Sequence, residues 1–187
     1  MSDAHGILGA MSTGPSLREF PPPVHLPGQH DLPCDDGVPM ETERHRAQMN
    51  QLIDSLTIAM RDRDDLYVSG NMSVYFSPEQ VKNQDFRGPD VFVVLGTTKK
   101  ERLSWVLWEE WRLPDVVIEL TSPSTRHEDH VIKKRIYERV WKTAVYVIYD
   151  PLTQELEGYR LDGGRYVRIE PDPTGAVDVH VLGLRLG

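Results

Sequence analysis

The hydrophobic positions follow a helical period in one long stretch of the chain and form unbroken runs in three short ones. From residue 41 to about 63, apolar residues recur at intervals of three and four with polar residues between them, which is typical of an amphipathic helix. Fully apolar runs at 90–95, 116–120 and 144–149 predict strands that are buried on both faces. A second helical segment separates the last two runs, so residues 116–149 predict a strand–helix–strand unit with parallel strands.

Shorter elements flank this predicted core. A strand is predicted at 66–76, with a bend or bulge at Gly70 and Asn71. The second helix is predicted to begin at a capping box formed by Thr125 and Glu128. Further short strands are predicted as antiparallel additions to the sheet: 155–161, 165–170 and 177–186.

The second helix places two charges on its apolar face. At about 100° per residue, Ile132, Ile136 and Val140 lie within one arc, which predicts the face that packs on the sheet. Asp129 and Lys133 fall at about 60° and 100° from Ile132, so both charges lie within the buried stripe. An ordinary surface ion pair does not explain this position, because an unpaired buried charge costs several kcal/mol. We therefore favour a functional role for Lys133, while for Asp129 the two explanations are balanced.

Three tryptophans, Trp105, Trp108 and Trp111, surround Val106 and Leu107, which predict a short strand. Stacking on nucleic-acid bases is one possible use of such a cluster. Large amphipathic side chains more often cover a sheet edge or an oligomer interface, and we prefer that interpretation.

Length and composition limit the possible classes of protein. The 187 residues, 39% of them hydrophobic, suffice for one domain with a core. Residues 1–40 are rich in Pro, Gly, His and Asp and lack periodicity, so they predict an N-terminal arm, with a single domain over 41–187. No apolar stretch reaches the length of a membrane span, and the single cysteine, Cys34, can form neither an internal disulfide nor a zinc site by itself. A cytoplasmic protein is the expectation.

The chain is acidic. It has 29 acidic against 21 basic residues, and the net charge is −8. This composition lacks the basic footprint of a tight nucleic-acid binder. It counts against a nuclease without excluding one, because bound cations and a local basic strip can override the global charge.

Two acids interrupt the apolar strands. Asp90 opens one run, and Glu119 lies inside another. A buried charge is costly, so two acids directed at one place predict a divalent cation between them. Ligand sites in such sheets gather at the carboxyl ends of strands, and a helix that folds back after residues 122–125 brings Lys133 toward Glu119.

Other candidate sites are weaker. The pair His127 and His130 at a helix start, without a nearby third ligand, is more typical of surface residues than of a metal site. His45, near the start of the first helix, has no partner that the sequence reveals. The chain contains no phosphate-binding glycine loop, nucleophile elbow or His-based triad signature.

Several short motifs together resemble a known family. They are Pro89-Asp90, residues 115–119, residues 122–125, Asp129 with Lys133 and Tyr137, and residues 146–151. Over residues 30–187 the chain resembles the Uma-two family of restriction-endonuclease-like proteins, a branch of the PD-(D/E)XK nuclease superfamily. The resemblance implies an α/β (α+β) fold with a mixed β-sheet core flanked by helices and additional antiparallel strands at the C-terminus.

The resemblance also implies a catalytic site. Asp90, Glu119 and the backbone carbonyl of Leu120 would hold Mg²⁺ or Mn²⁺, which prefer oxygen ligands. Lys133 would orient the attacking water or stabilise the developing anion.

The chain departs from the superfamily pattern at one position. The lysine usually stands two residues after the glutamate, where this chain has Thr121, and it resembles families in which the lysine has moved to the following helix. Besides Asp129 and Tyr137, the resemblance implies a supporting acid on the first helix. Glu41 and Glu43 are the candidates, although charged helix N-termini are common for other reasons.

The implied function is a metal-dependent endonuclease that hydrolyses phosphodiester bonds, with DNA as the expected substrate and a homodimer as the expected assembly. The alternative is a protein that has kept the fold without activity and serves as a binding or assembly module. The net charge of −8, the missing strand lysine and the tryptophan cluster favour this alternative.

Overall fold

The computed structural model describes residues 26–34, 42–77 and 86–187. Within them the helices are α1 (Glu43–Ala59), α2 (Leu107–Glu110) and α3 (residues 128–141). Helix α3 consists of a π-helical part, Glu128–Lys133, an α-helical turn, Lys134–Ile136, and a second π-helical part, Tyr137–Trp141. The strands are β1 (Leu66–Ser69), β2 (Val74–Tyr75), β3 (Phe86–Arg87), β4 (Val91–Leu95), β5 (Trp105–Val106), β6 (Val116–Leu120), β7 (Val145–Asp150), β8 (Glu155–Asp162), β9 (Arg165–Ile169), β10 (Val177–Val179) and β11 (Leu184–Leu186).

The main sheet is mixed. Its strand order is β1-β4-β6-β7-β8-β9, and β6 and β7 are parallel while the other neighbours are antiparallel. The segment β6–α3–β7 is the predicted strand–helix–strand unit. The strands at 155–162 and 165–169 extend the sheet at one edge, as predicted. The predicted mixed sheet flanked by helices is confirmed.

The two faces of the sheet bury different side chains. Val116, Ile118 and Leu120 of β6 lie in the same apolar cluster as residues of α1, such as Met49 and Leu56. Val117 of β6 lies in the cluster that includes Tyr137 and Trp141 of α3. Side chains alternate along a strand, so Glu119 occupies a position on the α3 face where its neighbours are apolar.

The predicted strand at 66–76 is two strands. Asn71 has a φ of 47°, in the left-handed region, and its N–H donates to the Pro89 carbonyl oxygen at 3.0 Å. The left-handed residue turns the chain, so β1 belongs to the main sheet and β2 to a three-stranded sheet with the order β3-β2-β5. The prediction of a bend was right, and that of one continuous strand was wrong.

The prediction of one strand at 177–186 was also wrong. Strands β10 and β11 pair with each other as a separate antiparallel hairpin, whose turn ends at Gly183 with a φ of 66°. Val177 and Val179 are buried while Asp178 between them is exposed. The hairpin therefore covers part of the sheet instead of extending it.

Replacing Gly158 by Ala is expected to loosen this hairpin. A Cβ atom at Gly158 in β8 would overlap the Val177 side chain and touch Ile169. Such overpacking typically costs about 1–3 kcal/mol, and urea unfolding measures the change in the free energy of unfolding. Gly88→Ala is the matched control, because no described atom lies within 4 Å of its added Cβ. A stability of Gly158→Ala equal to that of the control would show that the hairpin does not pack here.

The N-terminal cap of helix α3 is at Ser122, three residues before Thr125, where the predicted capping box begins. The N–H of Thr125 donates to Ser122 Oγ at 3.3 Å, and the N–H of Ser122 donates to Thr125 Oγ1 at 3.0 Å. The N–H of Arg126 donates to the Ser122 carbonyl oxygen at 2.8 Å, so the first turn begins at Ser122. The reciprocal cap joins Ser122 and Thr125, and the predicted pairing of Thr125 with Glu128 was wrong.

The buried face of α3 is shifted from the predicted one. Ile132 and Val140 are 38% and 54% exposed, against prediction. The residues that face the sheet are four apart: Asp129, Lys133, Tyr137 and Trp141. π-Helical turns close with i→i+5 hydrogen bonds and are wider than α-helical turns, so residues four apart line up along the helix. The prediction that Asp129 and Lys133 point inward is confirmed.

The described part of the predicted N-terminal arm packs on the three-stranded sheet. Leu32 is buried in a cluster with Tyr75, Phe86 and Val106. The Tyr75 hydroxyl donates to the Pro33 carbonyl oxygen at 2.7 Å. The rest of the arm, 1–25 and 35–40, lies outside the described residues, and the division into an arm and a domain over 41–187 stays a prediction.

The three tryptophans have different environments. Trp105 is fully buried in β5, which confirms a short strand there, but the chain turns into α2 at Leu107. Trp108 is partly buried, and its Nε1–H donates to the Pro27 carbonyl oxygen at 2.9 Å. Trp111 is 81% exposed. The three tryptophan side chains therefore do not form a single exposed surface.

Candidate active site

Asp90 and Glu119 lie side by side because β4 and β6 are neighbouring antiparallel strands. Their register pairs Val91 with Ile118, and the next pair outward is Asp90 with Glu119. The Asp90 N–H donates to Glu119 Oε2 at 3.3 Å. Like charges directly opposite each other destabilise a sheet, so this pair has a cost that the fold itself does not explain.

Asp90 is held by donors from two elements. Its Oδ1 lies 2.8 Å from His45 Nε2 in α1, and its Oδ2 accepts the Leu120 N–H at 2.8 Å. Burial alone would raise the pKa of Asp90. The hydrogen bond from His45 and the nearby Lys133 and Leu120 N–H oppose this, and together they hold the pKa of Asp90 below its ordinary value.

Glu119 is fully buried and bonded through both oxygens. Oε1 accepts the Tyr137 hydroxyl at 2.7 Å, and Oε2 lies 3.0 Å from Lys133 Nζ. Burial raises the pKa of Glu119 to about 8, because the lowering effect of Lys133 is opposed by the charges of Asp90 and Asp129.

In protein kept metal-free with EDTA, stability is expected to fall as the pH rises from about 4.5 to about 8. The pKa of Glu119 is raised from 4.5 to about 8 by folding, so the folded state binds this proton more tightly than the unfolded chain in that interval. At about 1.4 kcal/mol per pKa unit, the loss is at most a few kcal/mol. Urea unfolding measures the stability at each pH. In Glu119→Gln, the fall in stability between about pH 4.5 and 8 should be smaller by the contribution of Glu119. An identical pH dependence in the variant would contradict the assignment.

Lys133 connects two of the acids. Its Nζ lies 3.0 Å from Glu119 Oε2 and 3.0 Å from Asp129 Oδ1, and its side chain is 17% exposed. Burial lowers the pKa of Lys133, but Glu119 and Asp129 raise it by more, so the ammonium stays charged.

Asp129 has too few partners for a buried carboxylate. It is 1% exposed, and within the described residues neither oxygen accepts a well-aligned hydrogen bond, although Lys133 Nζ is 3.0 Å from Oδ1. Three acids therefore surround one lysine. An incompletely bonded buried carboxylate and an excess of negative charge are what a divalent cation would neutralise.

The donor set fits a hard cation. Asp90 and Glu119 supply carboxylate oxygens from adjacent strand ends. The Leu120 N–H faces Asp90, and in an extended strand the carbonyl of the same residue points to the same side, so its oxygen is the natural third ligand. Among residues 26–34, 42–77 and 86–187, no three His, Cys, Asp or Glu side chains form a metal cluster. Water would complete the set, as it does for Mg²⁺ generally.

The first helix contributes a histidine to the site. Glu43 is exposed in the first turn of α1, and Glu41 lies outside the described residues. His45 contacts Asp90 instead, a partner that the sequence did not reveal. The sequence carries a signal for this, because His45 lies on the same helical row as the buried residues Met49 and Leu56.

The pair His127 and His130 is not part of the site. His127 is exposed, and His130 lies 3.2 Å from Glu157 Oε1 through Nε2. Its Nδ1 is 2.9 Å from the Arg126 carbonyl oxygen. These contacts agree with the surface interpretation.

The fold and the comparisons identify the class of protein. A mixed sheet flanked by helices, with this strand arrangement, is a restriction-endonuclease-like fold. Residues 30–186 match the model of the Uma2 family, described as "Putative restriction endonuclease", and the chain belongs to this family.

One solved structure shows how far the fold is shared. It is the crystal structure, at 1.96 Å resolution, of a putative nuclease belonging to DUF820 from Anabaena variabilis ATCC 29413. The TM-score is 0.58, the sequence identity is 17%, and the match covers 79% of each chain. No curated protein matches the chain. Within the described residues, no helix has the length and hydropathy needed to cross a membrane.

Proposed function

We propose that the protein is a metal-dependent endonuclease that hydrolyses phosphodiester bonds in DNA with Mg²⁺ or Mn²⁺. The observation that carries the proposal is the cross-strand pair of Asp90 and Glu119, with Lys133 Nζ 3.0 Å from Glu119 Oε2. The pair is costly to a sheet, and a locally unfavourable arrangement of this kind is typical of functional sites.

Each residue has a definite part in this proposal. Asp90, Glu119 and the Leu120 carbonyl would hold the ion, which would supply activation of a water molecule and neutralisation of charge on the phosphate. Tyr137 orients Glu119 through the hydroxyl that it donates to Oε1. Lys133 stands between Glu119 and Asp129, where its ammonium can stabilise the developing negative charge.

The test is cleavage of plasmid and single-stranded DNA. Wild-type protein should cleave with Mg²⁺ or Mn²⁺, and EDTA should abolish the activity. Cleavage that persists at full rate in EDTA would remove the metal from the proposal. Activity that survives both Glu119→Ala and Lys133→Ala would remove this site from it.

A protein that has kept the fold without catalysis is the second candidate. The observation in its favour is that Glu119 Oε2, the oxygen on the side of Asp90, already accepts from both Lys133 Nζ and the Asp90 N–H, so an ion held there would compete with these contacts. Titration calorimetry with Mn²⁺ separates the two candidates. Absence of heat from a site that depends on Asp90 and Glu119 would favour the non-catalytic one. The homodimer and the cytoplasmic location stay predictions.

A further inference from the structure

The first turn of α1 brings the His45 ring onto the Asp90 carboxylate. The ring nitrogen Nε2 lies 2.8 Å from Asp90 Oδ1, and the two side chains are only 13% and 19% exposed. An ionised carboxylate can only accept hydrogen bonds, so Nε2–H is the donor. The proposed roles of Asp90, Glu119 and Lys133 do not use this contact.

The backbone of Asp90 is fixed without the help of His45. The Asp90 N–H donates to Glu119 Oε2 at 3.3 Å. On the other side the chain lies directly against Gly70, where an added Cβ would overlap the Asp90 carbonyl oxygen. The freedom that remains to Asp90 is therefore rotation of its side chain.

Two donors from different elements remove that freedom. The His45 ring donates to Oδ1 from α1, and the Leu120 N–H donates to Oδ2 from β6, each at 2.8 Å. The terminal torsion of an aspartate is otherwise broad, and turning the carboxylate would break one or both hydrogen bonds. Each oxygen keeps a second lone pair. The two donors thus set the direction in which Asp90 offers its oxygens to an ion.

His45 is itself held in place independently of this contact. Its backbone N–H donates to Oγ1 of Thr42, the N-cap of α1, at 3.1 Å. One turn later, Met49 is buried in the same apolar cluster as Val91, the residue after Asp90. The helix is therefore docked by its apolar row. A histidine also brings no benefit to the first turn of a helix, where the dipole favours acids.

We propose that His45 is a positioning residue of the metal site, whose Nε2–H holds the Asp90 carboxylate in the orientation that binds the ion. The inference rests on the proposed nuclease function and gives the first helix a part in the same site. Hydrogen-bond partners of ligating carboxylates typically contribute 10- to 100-fold to metal affinity. The first helix thus supports the site through a donor to the ligand, while its acid Glu43 is exposed.

The first test compares two side chains of equal length at this position. His45→Met removes the donor, whereas His45→Gln keeps an N–H donor of similar reach. Titration calorimetry with Mn²⁺ should show about tenfold or greater loss of affinity in His45→Met, and His45→Gln should stay within about threefold of the wild type. Equal losses in the two variants, or no loss in His45→Met, would overturn the proposal.

A control variant and melting temperatures separate positioning from a merely structural contact. His127→Gln alters an exposed histidine outside the site and should leave the Mn²⁺ affinity unchanged. A loss equal to that of His45→Met would overturn the assignment, because any histidine would then have the same effect. Melting in EDTA measures the stability of each variant without metal. A lower melting temperature of His45→Met with wild-type Mn²⁺ affinity would show that the contact only holds the helix.

Electron spin-echo spectroscopy of the bound Mn²⁺ tests whether the ring acts through Asp90 or binds the ion directly. Mn²⁺ prefers oxygen ligands to imidazole, and the ring nitrogen Nε2 is already used by Asp90. The wild type should therefore show no nitrogen modulation that is lost in His45→Gln. Such a modulation would make His45 a metal ligand and overturn its role as a positioning residue.

The same variants separate this inference from the proposed nuclease function. If His45→Met weakens Mn²⁺ binding but the wild type never cleaves DNA, the proposed catalysis fails while the inference stands. If the wild type cleaves DNA with Mn²⁺ and His45→Met has unchanged Mn²⁺ affinity, the inference fails while the proposed function stands.

Discussion

Glu119→Gln is expected to reduce metal-dependent DNA cleavage at least about a hundredfold. The substitution keeps the size of the side chain and an oxygen that can accept the Tyr137 hydroxyl, but it removes the negative charge that would bind the ion. Metal ions contribute several kcal/mol of charge stabilisation to such reactions, and each 1.4 kcal/mol is about tenfold in rate. Initial rates of plasmid nicking at fixed Mn²⁺ concentration measure the loss.

The same change on the outer side of α3 provides the control for this prediction. Glu128→Gln alters an exposed acid in the same helix that carries Lys133 and should leave the rate unchanged. Urea unfolding in EDTA distinguishes a lost site from a lost fold, because Glu119→Gln should be at least as stable as the wild type near pH 8. A variant that is folded and still cleaves at the wild-type rate would show that Glu119 does not bind the catalytic ion.

The sequence predicted the centre of the fold and the acid pair because both produce strong patterns. The runs that became β4, β6 and β7 are apolar on both faces, as strands in the middle of a covered sheet must be. A carboxylate within such a run conflicts with its surroundings, so Asp90 and Glu119 stand out without knowledge of the register. The register then explains why they meet, but only the structure provides it.

Local irregularities of the backbone account for most of what the sequence did not reveal. The left-handed conformation of Asn71 sends β2 into a second sheet, and an asparagine in a strand-like run does not specify this by itself. The π-helical turns of α3 bring Trp141 under the same face as Lys133 and Tyr137, whereas a wheel of constant 100° steps centres the face on Ile136. These features depend on tertiary packing, which overrides local preference.

The contacts of His45 and Thr121 were missed for a different reason. Each depends on two segments that are far apart in the chain: His45 in α1 meets Asp90, and Thr121 shares a cavity with the start of α1. Apart from one clue for His45, nothing near either residue distinguishes it from an ordinary surface histidine or strand threonine. The apolar row that includes Met49 and Leu56 was the one local clue, and it indicates burial of His45 without naming a partner.

Lys133→Met is expected to destabilise the metal-free protein by about 3–5 kcal/mol at pH 8, the cost of removing one partner of a buried ion pair. The loss arises because the ammonium lies 3.0 Å from both Glu119 Oε2 and Asp129 Oδ1, and Asp129 has no well-aligned hydrogen bond from another described residue. Met keeps most of the stem volume, so a cavity contributes little. Urea unfolding in EDTA measures the change, with an unchanged m-value showing that the unfolded states are comparable.

The neighbouring lysine and a double variant make this prediction specific. Lys134 contacts the Tyr159 ring at 3.3 Å and lies outside the acid cluster, so Lys134→Met should cost no more than about 1 kcal/mol. Adding Asp129→Asn to Lys133→Met should restore part of the lost stability, because the acid that depends most on Lys133 is then neutral. Strict additivity of the two changes would show that Lys133 and Asp129 do not form an energetic pair, and the inward lysine would then have to be explained by catalysis alone.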